Sequence, residues 1–237
     1  MKTDAHIHLL PRMDSGPAHP GVAAEMLRRL YNDKFRIFVA TPHFYADREE
    51  IGEFLLRRRL SVASLGEAFG KDFRYVHLLP SAEVALLPGV GSLADLPCLA
   101  IPGTNLLPVL FPIGEGIEDV AMREIAIIVQ KRRLVPLFCH AERAFPFFGE
   151  RFAELLGRAN CSFLFSPYAL TDPALALELL RALRRGARLF LGSNAHDLEG
   201  RPPSLSPLDG YSKTAVFVHD ALRQATDELF STLVTAR

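Results

Sequence analysis

The stretch TDAHIH, residues 3–8, is a short β-rich run that ends on two histidines. Side chains two apart on a strand point to the same face, so His6 and His8 can approach one divalent ion together. Alone this is a weak signal, because the pair also occurs by chance and in hydrogen-bonded cores. The rest of the chain repeats the placement. His43 follows a second apolar run in ATPHF, Glu83 a third in PSAEV, His140 a fifth in LFCHAER, and His196 a seventh in GSNAHD. Each falls at the expected C-terminal end of a strand, where barrel enzymes gather their sites. Five histidines and one carboxylate are thus expected to converge on one mouth.

Working outward, strands are expected near 3–8, 36–40, 75–79, 107–111, 135–139, 161–165 and 188–191. Helices are expected near 22–31, 48–69, 117–132, 150–158, 173–185 and 214–233. Alternating β and α elements imply a mainly parallel sheet with helices outside. Seven units without a break in composition favour a closed barrel in a single domain, residues 1–237. The Pro-, Ser- and Gly-rich stretch Gly200–Gly210 reads as a loop. Arg57, Arg58 and Arg59, and Arg132 with Arg133, read as solvated helix faces.

About half the residues are hydrophobic, enough for a sizeable core, and Lys+Arg and Asp+Glu balance at 27 each. Zero net charge gives no global pull toward nucleic acid or a membrane surface, so phosphate recognition must be local. The three cysteines, Cys98, Cys139 and Cys161, lack paired spacing, which argues against a disulfide scaffold and suits a reducing cytosol. No run approaches a membrane span, and the N-terminus lacks the apolar stretch of a signal peptide. The expectation is a cytoplasmic protein without a membrane span, its oligomeric state open.

Arg143 lies three residues after His140, and Arg201 five after His196. A guanidinium fork matches phosphate oxygens, and beside a metal that activates water it would hold a phosphomonoester. The plainer reading pairs Arg143 with Glu142 or Glu150 at the surface. His19, His77 and His219 occupy no expected strand end and read as surface or packing residues.

The blocks DAHIHLLPRMDSG, VATPHF, PSAEV, FCHAER and SNAHDLEGRPP resemble, in order, the PHP (polymerase and histidinol phosphatase) superfamily. Within it they look most like the bacterial manganese-dependent protein-tyrosine phosphatases of capsular and exopolysaccharide loci, to which the GRPP block points. The resemblance implies a distorted (β/α)7 TIM-like barrel, the PHP fold, holding divalent metals: manganese first, with iron or zinc as alternatives. It implies a phosphotyrosine protein as partner, a bacterial tyrosine kinase among the candidates. The family's first metal position matches His6, His8, Glu83 and an Asp near the last histidine. Its second matches Glu83, a fourth-strand Glu and His140. Its third matches a first-loop Asp, His43 and His196. Arginines matching Arg143 and Arg201 would bind phosphate.

Three ligand positions depart from that pattern. Ser15 stands for the first-loop Asp in Asp14-Ser15-Gly16, Leu110 for the fourth-strand Glu, and Asn194 for the Asp of the final block. Each position loses one carboxylate, leaving Glu83 and a shifted Asp14 against up to six positive charges. Fewer than three metals are expected, with His6, His8 and Glu83 filled first and Asn194 as a weak fourth ligand. Two readings follow. One is a metal-dependent phosphomonoesterase of the tyrosine phosphatase kind. The other is a degenerate, weakly active or inactive PHP-domain protein that binds metal or a phosphorylated partner. A histidinol-phosphate phosphatase is a third, weaker reading.

Overall fold

The computed structural model describes residues 1–110, 118–143, 156 and 161–235. Its strands are β1 (Lys2–Ile7), β2 (Phe35–Ala40), β3 (His43–Phe44), β4 (His77–Pro80), β5 (Glu83–Ala85), β6 (Leu106–Leu110), β7 (Val135–Cys139), β8 (Ser162–Phe165) and β9 (Leu189–Leu191). Its longer helices are α1 (Pro20–Asn32), α2 (Ile51–Phe69), α3 (Glu118–Arg132), α4 (Pro173–Arg184) and α5 (Lys213–Thr235). Local chemistry sets several boundaries. Pro20 and Pro173 open their helices, where a missing N–H is harmless. Asp172 caps α4 by accepting from the Ala174 and Leu175 N–H groups.

Among the described residues every strand pair is parallel, in two sheets ordered β1-β2-β4 and β3-β5-β6-β7-β8-β9. The expected second and third strands are β2 and β4, and each is followed after a two-residue break by a further short strand, β3 and β5. The second breaks at Thr41-Pro42, where proline removes a ladder donor. Backbone bonds cross both gaps: Ser81 N–H donates to Ala40 O (2.8 Å) and Glu83 N–H to Pro42 O (2.9 Å). At the other margin Asn194 N–H donates to His6 O (2.9 Å) and His8 N–H to Ala195 O (3.0 Å), joining the chain after β9 to the end of β1. The expected closed barrel therefore takes the form of two parallel sheets stitched together by these bonds.

Apolar residues cover both faces of the strands, as parallel sheets require. Ala5, Ile37, Val39, Leu137 and Leu164 pack with Phe230 of α5. Phe38, Val109, Phe138 and Phe163 pack with helix residues such as Met26, Ile128 and Leu179. Gly192 lies where β9 leaves the sheet; a Cβ there would sit 2.6 Å from His6 Cβ and 2.9 Å from His6 N.

Tyr75 belongs to a 3-10 turn, Lys71–Tyr75, and not to the third strand. The arginine runs are less idle than expected: Arg58 donates to the Ser81 and Cys98 carbonyls and Arg132 to those of Gly91 and Ser92. Apart from Leu156, the helix expected at 150–158 lies outside the described residues, as do Phe111, residue 117 and Glu150.

Candidate metal centre

The strand ends bring His6, His8, His43, Glu83, His140 and His196 to one place. His6 lies in β1 and His8 just beyond it; both are buried. His43 and Glu83 open β3 and β5 and are paired in register, which sets their side chains next to each other. His140 and Asn194 follow β7 and β9 in left-handed conformations, φ 55 and 54. Non-glycine residues adopt this region at a cost, and such strain concentrates at functional sites.

Glu83 is the hub. Its carboxylate lies 3.0 Å from His43 Nδ1, 3.5 Å from His8 Nε2, 3.9 Å from His140 Nε2 and 4.0 Å from His6 Nε2. None of these approaches has hydrogen-bond geometry. Both Glu83 oxygens, His8 Nε2 and His43 Nδ1 are buried without a hydrogen-bond partner. Buried polar atoms are rarely left so, and a metal ion is one of the few groups that would satisfy this set. Ligand atoms of His6, His8, Glu83 and His140 all fall within 4.8 Å of one another, as do those of His8, Asp14 and His43. Imidazole and carboxylate donors at such spacing fit a divalent transition metal.

Around this hub other groups fix the rings. Thr41 Oγ1 lies 2.7 Å from His6 Nδ1, and His6 Nε2 lies 3.0 Å from His140 Nε2. Asp14 reaches His8 Nδ1 at 2.6 Å and accepts from the His43 and Gly16 N–H groups at 2.9 and 2.8 Å. Asp14, expected only as a shifted ligand, thus stands in the site. Ser15 Oγ lies 3.2 Å from His196 Nδ1, and Asn194 Oδ1 3.1 Å from His196 Nε2. The His196 ring stacks on His8 with centroids 3.8 Å apart, and it joins neither of the two tight ligand groups. Leu110 pairs with Ala85 and Cys139 and is only half-buried.

Electrostatics suit metal ligation. Burial holds His6 and His8 below the usual imidazole range, although Glu83 pulls His6 upward and Asp14 pulls His8 upward. Burial, then the nearby His8 and Arg201, push His196 down to about 3. Burial opposes the charge on Glu83 and on Asp14, yet the facing imidazoles at Glu83, and His8 with the His43 and Gly16 N–H groups at Asp14, outweigh it and hold both well below the ordinary carboxylate range. Neutral His6, His8 and His196 beside ionised carboxylates are the protonation states that bind metal, whereas against its burial His43 is held upward by Glu83 and Asp14.

Arg143 and Arg201 are both exposed, and they line one cavity of about 240 Å³ with Glu142, Ser166, Tyr168, Ser193, Asn194 and Pro202. Glu142 accepts from Ser166 Oγ at 2.8 Å and lies 3.7 Å from His140 Nδ1, so the surface pairing considered for Arg143 is not its main contact. His219 is a packing residue, 2.9 Å from the Leu205 carbonyl; His77 is exposed and His19 precedes α1.

Sequence reasoning missed three contributors. Asp4, on β1, accepts from Ser193 N–H and Oγ–H and from His6 N–H; its burial pushes its pKa up to about 6. The signal was available, since Asp4 shares alternating positions with His6 and His8. Thr41 and Glu142 lacked any such periodic cue.

A family model for capsular polysaccharide synthesis, CpsB/CapC, matches residues 2–157. The tyrosine-protein phosphatase YwqE of Bacillus subtilis (strain 168) is 26% identical over 141 residues, 59% of this chain and 54% of that protein. The matched stretch is therefore about half the length of that relative. Among solved structures, one from the set of YwqE from Bacillus subtilis and CpsB from Streptococcus pneumoniae, described as metal-dependent tyrosine phosphatases, superposes with TM-score 0.66. It is 19% identical and covers 94% of this chain and 95% of that one. A phosphotriesterase homology protein from Escherichia coli, with phosphate in its active site, superposes with TM-score 0.52 at 12% identity, covering 94% and 96%. At these identities the two structures establish the likeness of fold.

Proposed function

The chain belongs to the CpsB/CapC family of capsular polysaccharide synthesis proteins, and from that premise we propose that it is a metal-dependent phosphomonoesterase acting on phosphotyrosine in the cytoplasm. The observation that carries this reading is Glu83: a fully buried carboxylate, both oxygens without a hydrogen bond, ringed by four histidines. His6, His8 through Nε2, Glu83 and His140 would hold one ion, and Asp14 and His43 offer donors for a second, with His196 joining after leaving its stack on His8. We infer fewer than three ions, manganese first and iron or zinc as alternatives. A bound ion would supply Lewis-acid polarisation of phosphate and activation of water near neutral pH.

The chain's own residues do the rest. Arg143 and Arg201 present guanidinium donors to the phosphate oxygens and orient the ester. Thr41 at His6 Nδ1 and Asp14 at His8 Nδ1 fix which ring nitrogen faces the centre. A phosphotyrosine protein, a bacterial tyrosine kinase among the candidates, is the partner that fits, and the whole chain would act as one barrel domain.

A second reading has its own observation. Leu110 places an apolar side chain at the family's fourth-strand carboxylate, with Ser15 and Asn194 at two other ligand positions. On this reading the protein binds metal or a phosphorylated partner and turns over little. Restoring Ser15→Asp, Leu110→Glu and Asn194→Asp separates the two. If the natural protein turns over a phosphotyrosine peptide well and restoration adds nothing, the first reading holds. Background turnover that rises together with metal content in the triple variant would establish the second.

A further inference from the structure

One wall of the arginine cavity has a feature that phosphate alone does not require. Directly after β8 the chain makes a 3-10 turn, Pro167–Thr171, whose Pro167, Ala169 and Leu170 are buried. Its backbone is pinned: Ala169 N–H donates to Ser166 O at 3.0 Å, Thr171 Oγ1–H to Tyr168 O at 2.7 Å, and the Tyr211 hydroxyl to Pro167 O. Out of this anchored turn projects Tyr168, 60% exposed. The ring lines the same cavity as Arg143 and Arg201. A large aromatic side chain left in water on a fixed backbone, beside two guanidinium groups, can cover apolar surface on a ligand without ordering a loop first.

We propose that Tyr168 forms an aryl subsite: a specificity residue that packs against the ring of an aryl phosphomonoester whose phosphate is held by Arg143 and Arg201. The inference rests on the phosphomonoester reading of the site and names what sets its substrate class. An alkyl ester such as phosphoserine presents no ring to this wall. An aromatic pair contributes ~0.5–1.5 kcal/mol beyond area burial, roughly a 2- to 12-fold preference. The hydroxyl of Tyr168 makes no described contact that the subsite needs, so phenylalanine should serve in its place.

The test is calorimetric binding of phenyl phosphate, ethyl phosphate and inorganic phosphate to the full-length, manganese-loaded protein, its Tyr168→Ala variant and its Tyr168→Phe variant. Wild type should favour phenyl over ethyl phosphate several-fold. Tyr168→Ala should lose roughly 2- to 12-fold for phenyl phosphate alone, and Tyr168→Phe should keep the preference. Thermal melts should coincide, because the ring is exposed. The subsite is overturned if Tyr168→Ala weakens all three ligands alike or none, if Tyr168→Phe falls with it, or if no phosphate binds. Turnover measured on the same samples distinguishes the underlying reading: an aryl preference in binding without hydrolysis keeps the subsite and rejects the phosphatase.

Discussion

Gly192→Ala places a methyl group into the closest approach between the chain after β9 and the first metal-ligand candidate. The new Cβ would sit 2.6 Å from His6 Cβ, 2.9 Å from His6 N and 3.0 Å from Leu164 Cδ2. Ordinary carbon contacts lie near ~3.5–4.0 Å, so the shortfall at His6 is about 1 Å. Leu164 can turn aside, but His6 cannot. Its N–H donates to Asp4, its carbonyl accepts from Asn194, and its ring is held by Thr41 and His140. Relief must part β1 from the chain after β9. Overpacking costs ~1–3 kcal/mol and a lost hydrogen bond ~0.5–1.5 more, giving about 2–4 kcal/mol. In a protein this size that is a fall in Tm of roughly 4–16 °C. Melts with chelator and with manganese, beside a manganese titration, measure it. Displacement of His6 should weaken metal binding as well as the fold. Gly21→Ala, where nothing lies within 4 Å, is the control and should be near neutral. A Gly192→Ala protein with unchanged Tm and unchanged manganese affinity would refute the close approach and the reasoning built on it.

Other expectations follow from the same geometry. Glu83→Gln should abolish metal-induced stabilisation, which for wild type at a hundredfold excess over Kd is ~2.7 kcal/mol, read as a thermal shift on adding manganese. Arg201→Ala should weaken phosphate binding by ~1.5–3 kcal/mol, the range for hydrogen bonds to charged groups, while leaving manganese affinity unchanged; calorimetry reads both. With metal chelated, stability should fall as pH drops below ~6.5, the unfolded imidazole value. Burial depresses His6, His8 and His196, so the unfolded chain binds more protons there and gains in acid. His43 and Asp4 oppose this: against its burial His43 is raised by Glu83 and Asp14, and burial raises Asp4 to about 6, so their contributions are present at low pH and lost as pH rises through the folded values. Denaturant midpoints between pH 5 and 8 give the sign.

The convergence of His6, His8, His140 and His196 was legible because histidine recurred at or just past a C-terminal strand end; His43 and Glu83 follow the expected strands too, but open the short β3 and β5. The α/β alternation was legible for the same reason, since period and turn signals are local. What stayed hidden depends on contacts distant in sequence. Pro42 in ATPHF and Pro80 in PSAEV are local signals of a break, but nothing in these blocks announces that Ser81 and Glu83 N–H bonds carry the sheet across it. The stacking of His196 on His8 joins residues from opposite ends of the chain. Asp14 entered the site because its carboxylate reaches His8 and the His43 N–H, a reach that loop geometry decides.

On the proposed reading, one or two divalent ions on the Glu83 hub make this chain a phosphomonoesterase. The most direct measurement titrates manganese into the chelated protein and follows bound metal per chain and phosphotyrosine-peptide turnover on the same sample. The metal-free protein should show no turnover, and turnover should rise with the first one or two ions and level off before a third. Turnover indifferent to chelation, or three fully occupied ions per chain, would contradict it.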